Sequence, residues 1–275
     1  EPGATKNRNV PAPSYADLKK AAIELLPLAE AEADESEKIY HQTDKLVAEM
    51  RRTGLYSLLI PSALGGSELP FVEAMEIAEI VSRADGSAGW CLMVAGVMGA
   101  SAGAFLPEAG ARAVYPHGDV TMAGQGVPRG YARPADGGYH IRGNWGYGSG
   151  IFHAEWVHSG CFVMDGDKMK MGADGHPVIV LCHHPKSTIH LTGNCDVHGL
   201  RGTGSFDYTI KAGELFVPAS QCYLFDNAVQ MRGGAQYASG LVGSTSWGHT
   251  SWALGVGRRT LDALAQLSSQ RADVF

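Results

Sequence analysis

The sequence lacks the residue patterns of several large functional classes. Its 275 residues have a net charge of −6, and only 18% of them are charged. Without an excess of basic residues it cannot attract a phosphate backbone, so we expect no nucleic-acid partner. Its five cysteines are odd in number and contain no CxxC pair, which argues against a disulfide framework or a zinc knuckle and favours a reducing, cytoplasmic location.

The motifs of common nucleotide-binding enzymes and hydrolases are also missing. The sequence contains no Walker loop and no GxGxxG fingerprint after a strand, and its one GxSxG match, at residues 99–103, is not at a strand-to-helix elbow. Four histidines lie close together in the second half, but without the spacing of metal ligands, so we expect no metal site. They are His183, His184, His190 and His198.

A long uncharged stretch, Trp90 to Leu106, is too short and too rich in small residues for a typical membrane span. We therefore expect a buried core helix and no membrane. The first nine residues are polar and do not have the pattern of a secretory signal.

The first 115 residues have helical patterns throughout. Ser14 is a plausible N-cap for a helical stretch that extends to Arg52, with a break or kink expected at Pro27. A second helix, with apolar residues at helical spacing from Phe71 onwards, ends near Gly86.

The pattern changes near Gly118 to short runs of β-branched and aromatic residues separated by turn clusters, which predict a compact antiparallel β domain. Helical character returns at Ala235, where many small residues predict a tightly packed, deeply buried helix. We expect an α+β protein with a helical domain at residues 1–117, a β domain at 118–225 and the start of a helical bundle at 226–275.

Glycines and aromatic residues cluster at three predicted strand ends, at residues 124–130, 144–150 and 201–205. Such segments let backbone amides approach a flat polar ligand while an indole ring supplies a stacking wall. Ordinary glycine-rich hairpin turns are the alternative explanation.

Several segments, in the right order, resemble the acyl-CoA dehydrogenase superfamily. They are the loop from Gly54 to Gly66, GSAGW at 86–90, the hairpin sequence from Gly137 to Trp156, GLRGTGSFDYTI at 199–210 and ALGVGRRTLDAL at 253–264. The AGQGVPRGYARPADGGY segment, the W-x-x-x-S-G pattern ending at Gly150 and the RGTGS sequence are most similar to the oxygenase components of two-component (group D) flavin-dependent monooxygenases.

The resemblance implies an enzyme that receives reduced FMN or FAD from a separate flavin reductase. It traps O2 as a flavin C4a-hydroperoxide and hydroxylates a small aromatic or heteroaromatic substrate. It also implies a homotetramer.

The resemblance further assigns roles to particular residues. Ser149 is expected to form a hydrogen bond near flavin N5, and Trp90 and Trp145 to form walls of the flavin pocket. Arg271 occupies the position of an arginine that reaches a flavin pyrophosphate in a neighbouring subunit. The remaining expected flavin contacts are Gln125, Gly126, Val127, Gly148 and Gly150.

Two departures from the family pattern leave alternatives open. Met98 stands where aromatic hydroxylases of this kind often place a histidine base, so the substrate needs no such base or the base comes from elsewhere. Only one bundle helix precedes Phe275, about a hundred residues short of a family member. The alternatives are an acyl-CoA dehydrogenase-like flavoenzyme that oxidises a CH–CH bond and a non-catalytic flavin-binding remnant.

Overall fold

The computed structural model describes residues 11–116, 118–193, 197–226 and 228–271. Five helices come first, then a β-sheet, then one long helix, in the order expected from the sequence. The helices are α1 Tyr15–Ile39, α2 Asp44–Arg52, α3 Phe71–Ala84, α4 Gly86–Phe105, α5 Glu108–Val114 and α6 Gly240–Arg271. The strands are β1 Met122–Ala135, β2 Gly138–Gly148, β3 Trp156–Asp165, β4 Lys168–Met169, β5 Ile179–Pro185, β6 Ile189–Gly193, β7 Phe206–Ile210, β8 Leu215–Pro218 and β9 Cys222–Leu224.

The first helix begins as predicted but does not break at its proline. Ser14 Oγ accepts a hydrogen bond from the Asp17 backbone N–H at 3.3 Å, and the Asp17 carboxylate accepts one from the Ser14 N–H at 3.1 Å. α1 then continues through Pro27 to Ile39. The proline removes one backbone donor, whereas the buried face on both sides of it packs continuously into the core, which keeps the helix in one piece.

The predicted continuation of this helix to Arg52 is wrong. Tyr40 adopts a left-handed backbone with φ of 63°, and the His41 N–H donates to the Ser36 carbonyl at 3.2 Å, which closes α1. A new helix starts after Thr43, whose hydroxyl accepts from the Leu46 N–H at 3.3 Å. A glycine usually marks such a helix end, and none is present here.

The uncharged helix α4 is the central helix of the fold. It is long and apolar enough to cross a membrane by composition, but 89% of its most apolar window is buried inside the protein. Its glycines permit this close packing, because a Cβ at Gly89 would lie 2.0 Å from Ser82 Oγ on α3. The prediction of a buried core helix is confirmed.

The β domain is a mixed sheet in which seven strands have the order β6-β7-β2-β1-β3-β5-β9 within the described residues, with β4 beside β3 and β8 beside β2. β1 pairs with β3 in parallel, and the other pairs are antiparallel. The expectation of a purely antiparallel domain is therefore wrong. The chain crosses back after the β1–β2 hairpin and places β3 on the free side of β1, in the same direction.

The last helix is buried on one face only, which corrects the expectation of a deeply buried helix. Gly248 and Gly255 pack closely against α4 and α3, since a Cβ at either position would lie 2.4 Å from a neighbouring atom. Arg259 adds an ion pair with Glu30 of α1 at 2.6 Å. The opposite face carries apolar side chains that remain exposed in the described structure, namely Leu254, Leu261, Leu264 and Leu267.

Candidate active site

A cavity of about 810 Å³ lies between α4, the first part of β1 and the N-terminal half of α6. Its volume is within the range that proteins use for cofactors and small ligands. Helix α4 contributes an apolar wall, and β1 contributes residues 124–128. The polar side chains that reach the cavity include Ser149, His158, Thr203, Ser205, Thr245 and His249.

Trp90 is fixed in this wall by contacts on several sides. The Asp85 carboxylate accepts from the Ala88 N–H at 2.7 Å and starts α4, which places Trp90 in the second turn. The indole N–H donates to Ser149 Oγ at 2.9 Å, and the ring makes an edge contact with His249 at 5.1 Å between centroids. The orientation of Trp90 is therefore set by three elements of the fold.

A chain of hydroxyl groups continues from Ser149 and determines where its proton points. Thr203 Oγ1 donates to the carbonyl of Leu200 at 2.7 Å, so it must accept from Ser205 Oγ at 2.6 Å. Ser205 must in turn accept from Ser149 Oγ at 2.7 Å. Ser149 also accepts from the indole N–H of Trp90, so it keeps one lone pair and has no proton to offer a ligand.

The backbone near the start of β1 is held in place by hydrogen bonds within the protein. The Gln125 side chain donates to the Gly146 carbonyl at 3.2 Å and accepts from the Val127 N–H at 3.0 Å. The Gln125 backbone N–H donates to Tyr208 Oη at 3.2 Å. These two backbone donors are occupied within the protein, so they are not available to a ligand.

An unusual backbone conformation occurs at the edge of the same cavity. Tyr147 has φ of 59°, a left-handed conformation that is rare for an aromatic residue. Its N–H donates to the Asp207 carboxylate at 3.0 Å, which stabilises the conformation. Ser149 lies in the turn that follows, at the cavity wall. The strained backbone of Tyr147 is therefore next to a polar group of the wall, an arrangement that is common at functional sites.

The structure places five of the predicted site residues at the cavity wall. Trp90 and Ser149 are in direct contact there, and Gln125, Gly126 and Val127 line the cavity from β1. Their roles toward a flavin remain predictions.

Trp145 does not line the cavity, which corrects the expectation that it forms a wall. Its side chain is 1% exposed, its indole N–H donates to the Gly160 carbonyl at 2.7 Å, and its ring stacks on Tyr208. Gly130 leaves room for this ring, because a Cβ there would lie 2.3 Å from it. Trp145 is thus a core residue of the sheet.

Gly148 and Gly150 support the site without reaching the cavity. Gly148 packs against Ile151, and the Gly150 N–H donates to the Thr203 carbonyl at 2.8 Å. This hydrogen bond ties the β2 hairpin to the Arg201–Thr203 turn. Arg271 is the last residue of α6, and its side chain lies outside the described residues.

The sequence interpretation missed several polar groups at the wall, among them His158, Ser205 and His249. The hydroxyl of Ser205 is within the RGTGS segment, which the sequence did single out. Neither His158 nor His249 lies in a segment that the sequence analysis singled out. Their positions at the cavity follow only from the packing of β3 and α6. No group of three or more acidic, histidine or cysteine side chains in the described part of the chain is arranged to hold a metal ion.

The fold and one part of the sequence have clear counterparts among known proteins. The family described as "Acyl-CoA dehydrogenase, N-terminal domain" matches residues 19–106. The structure of XiaF from Streptomyces sp., in complex with FADH2 and glycerol, aligns with a TM-score of 0.79 at 21% identity, over 92% of this chain and 63% of that one. The chain therefore has the acyl-CoA dehydrogenase-like fold, and residues 19–106 match the N-terminal domain of that family.

The chain is also similar to curated flavin-dependent monooxygenases. It is 30% identical over 202 residues to the oxygenase subunit HsaA from Rhodococcus jostii, covering 73% of this chain and 50% of the relative. It is 32% identical to the oxygenase component of an FADH2-dependent resorcinol hydroxylase from Rhizobium sp., covering 70% and 46%. The chain thus spans about half the length of these relatives.

Proposed function

We propose that this chain is the flavin-binding part of the oxygenase component of a two-component monooxygenase that hydroxylates an aromatic or heteroaromatic small molecule. The observation that carries the proposal is the apolar cavity in which Ser149 offers a lone pair and no proton. The similarity to two such oxygenase components supports the same assignment.

The residues at the cavity fit a reduced flavin. The N5 position of a reduced isoalloxazine carries an N–H donor, whereas the same position of an oxidised flavin is an acceptor. Ser149 is a pure acceptor toward the cavity, because its own proton is committed to Ser205. Ser149 would therefore hold N5–H, and the α4 wall around Trp90 would enclose the ring system. Either FAD or FMN satisfies these contacts.

A bound reduced flavin supplies the electrons that activate O2 for insertion into the substrate. The residues of the chain provide the environment for that reaction. Met93, Val97 and Met98 of α4 line the cavity without a titratable group, so they exclude water and offer no proton to a reactive oxygen species. Trp90 and Ser149 keep the polar contact to the ring at one defined point.

The relatives favour the monooxygenase reaction over the acyl-CoA dehydrogenase alternative. The two curated relatives are named as oxygenase parts of monooxygenases, and neither is named as a dehydrogenase. We therefore do not retain the dehydrogenase reaction.

The proposed reaction needs partners that the chain does not contain. A separate flavin reductase would supply the reduced cofactor, and O2 and a small aromatic compound would be the co-substrates. We also propose a homo-oligomer, a tetramer by resemblance, and a cytoplasmic location. Four buried cysteines in the described residues are free thiols, which fits a reducing compartment.

Isotope labelling tests the proposed reaction directly. The protein is mixed with reduced FMN or FAD, 18O2 and an aromatic panel of phenol, resorcinol and indole, and the products are analysed by mass spectrometry. One 18O atom in a hydroxylated product supports the proposal. Hydrogen peroxide as the sole product with every compound would contradict hydroxylation, and failure to bind either flavin redox state would contradict a flavin site.

A further inference from the structure

One ring nitrogen at the cavity has no hydrogen-bond partner in the described part of the chain. His158 lies on β3, its side chain is fully buried, and it forms part of the cavity wall. Its Nε2 atom is buried and unpaired among the described residues. Buried polar atoms in folded proteins are nearly always paired, so this nitrogen is available to a ligand in the cavity.

Neighbouring hydrogen bonds determine which nitrogen of His158 carries the proton. His183 Nδ1 lies 3.1 Å from the Gln221 carbonyl, which can only accept, so this nitrogen donates. Neutral His183 then accepts at Nε2, which lies 3.0 Å from His158 Nδ1. Neutral His158 therefore carries its proton on Nδ1 and presents a bare lone pair at Nε2.

Both rings are neutral in the folded protein. Burial lowers the pKa of His183 to about 4, and burial together with the neighbouring histidines lowers the pKa of His158 well below its ordinary value. The lone pair at His158 Nε2 is consequently present at neutral pH.

A glycine keeps the space beside this lone pair free. A Cβ at Gly126 would lie 3.4 Å from His158 Nε2 and 3.3 Å from the Leu241 side chain. Any side chain at Gly126 would therefore extend into the space in front of the nitrogen.

We propose that His158 Nε2 accepts a hydrogen bond from the O–H or N–H group of the aromatic substrate, and that His183 is a positioning residue that holds the required tautomer. The identity of the ligand as a substrate rests on the proposed function, whereas the tautomer and the acceptor do not. The site would select phenols and N–H heteroaromatics over analogues without a donor.

A matched pair of ligands isolates this hydrogen bond. Indole and benzofuran have nearly the same shape, and only indole has an N–H donor. Equilibrium dissociation constants for both are measured on the flavin-free chain, for the wild type and for His158→Phe, His183→Phe and His249→Phe. The quantity compared is the ratio of the benzofuran constant to the indole constant.

The proposal predicts that His158→Phe lowers this ratio about tenfold, the size expected for one buried hydrogen bond. His183→Phe keeps the His158 ring but releases its tautomer, so the ratio should fall there as well. An unchanged ratio in His158→Phe, or a loss confined to His249→Phe, would overturn the proposal.

Nitrogen NMR of histidine-labelled wild-type protein gives a second measurement that needs no variant to fold. We expect Nε2 of His158 to have the shift of an unprotonated imidazole nitrogen and to move on addition of indole but not of benzofuran. A protonated Nε2 would overturn the tautomer assignment.

Two further outcomes separate this proposal from the proposed function. A shift of Nε2 with reduced flavin alone would assign the donor to the cofactor and overturn the substrate assignment. Selective indole binding by a chain that binds no flavin would support His158 as the acceptor while contradicting the flavin enzyme.

Discussion

The indole N–H of Trp90 donates to the hydroxyl oxygen of Ser149 across 2.9 Å. This contact joins the buried helix α4 to the turn that follows β2, and it occupies one of the two lone pairs of the serine. The hydroxyl proton is used by Ser205, so the remaining lone pair defines what Ser149 can bind. The proposed preference for a reduced over an oxidised flavin follows from this arrangement.

A substitution at Thr203, the last residue of the hydroxyl chain, tests the proposal without changing Ser149. Thr203→Val removes the acceptor of the Ser205 proton and keeps the side-chain shape. Ser205 can then donate to Ser149, which frees the Ser149 proton for the acceptor N5 of an oxidised flavin. We expect the ratio of affinities for reduced and oxidised flavin to fall several-fold in anaerobic titrations.

A matched control for this variant is available on α6. Thr245 also lines the cavity, but its hydroxyl donates to the Leu241 carbonyl of its own helix at 2.7 Å. Thr245→Val should leave the affinity ratio unchanged. Equal effects of the two substitutions would show that the ratio does not depend on the hydroxyl chain.

The buried histidines predict a loss of stability in mild acid. Burial lowers the pKa of His183 to about 4 and of His184 to about 3, against an ordinary value of 6.5. As the pH falls below 6.5, these histidines therefore bind protons in the unfolded chain before they do so in the folded protein. The free energy of unfolding should be highest above that pH and fall by about 1.4 kcal/mol per pH unit for each histidine down to about pH 4.

Denaturant unfolding at several pH values measures this slope. His184→Gln should reduce it, whereas a substitution at the exposed His176 should not. A stability that stays constant from pH 7 to 5 would contradict the neutral state of the buried rings.

Two glycines with positive φ should respond differently to alanine. Gly124 has φ of 131°, and a Cβ there would lie 2.2 Å from the His158 carbonyl oxygen, whereas Gly137 has φ of 74° and open space around it. Gly137→Ala carries only backbone strain, about 1 kcal/mol. Gly124→Ala adds a clash inside the sheet and should cost at least about 2 kcal/mol more in thermal or chemical unfolding.

Much of the fold could be predicted from the sequence because it depends on local patterns. The cap at Ser14 and the uncharged run of α4 are short-range signals, and both predictions are confirmed. The helix end at Tyr40 and the parallel pairing of β1 with β3 were missed. The former has no glycine to mark it, and the latter depends on how the chain crosses between distant strands.

Site residues could be predicted only where they lie within a recognisable sequence motif. Ser149 and Trp90 were found because each lies in a family-like motif, and the structure brings them into contact. Trp145 lies on β2, just before Ser149, but Gly130 on the neighbouring strand β1 leaves room for its ring in the core. His158 could not be predicted from the sequence, because its proposed role depends on a hydrogen bond to His183, which lies on another strand.

Anaerobic binding of reduced and oxidised flavin tests the central claim most directly. We predict that the wild-type chain binds reduced FMN or FAD more tightly than the oxidised form, and that Ser149→Ala weakens binding of the reduced form about tenfold. Ser246→Ala is the control, because this cavity hydroxyl donates to its own helix at Val242 O. Tighter binding of the oxidised flavin, or equal effects of the two substitutions, would contradict Ser149 as the acceptor for reduced flavin.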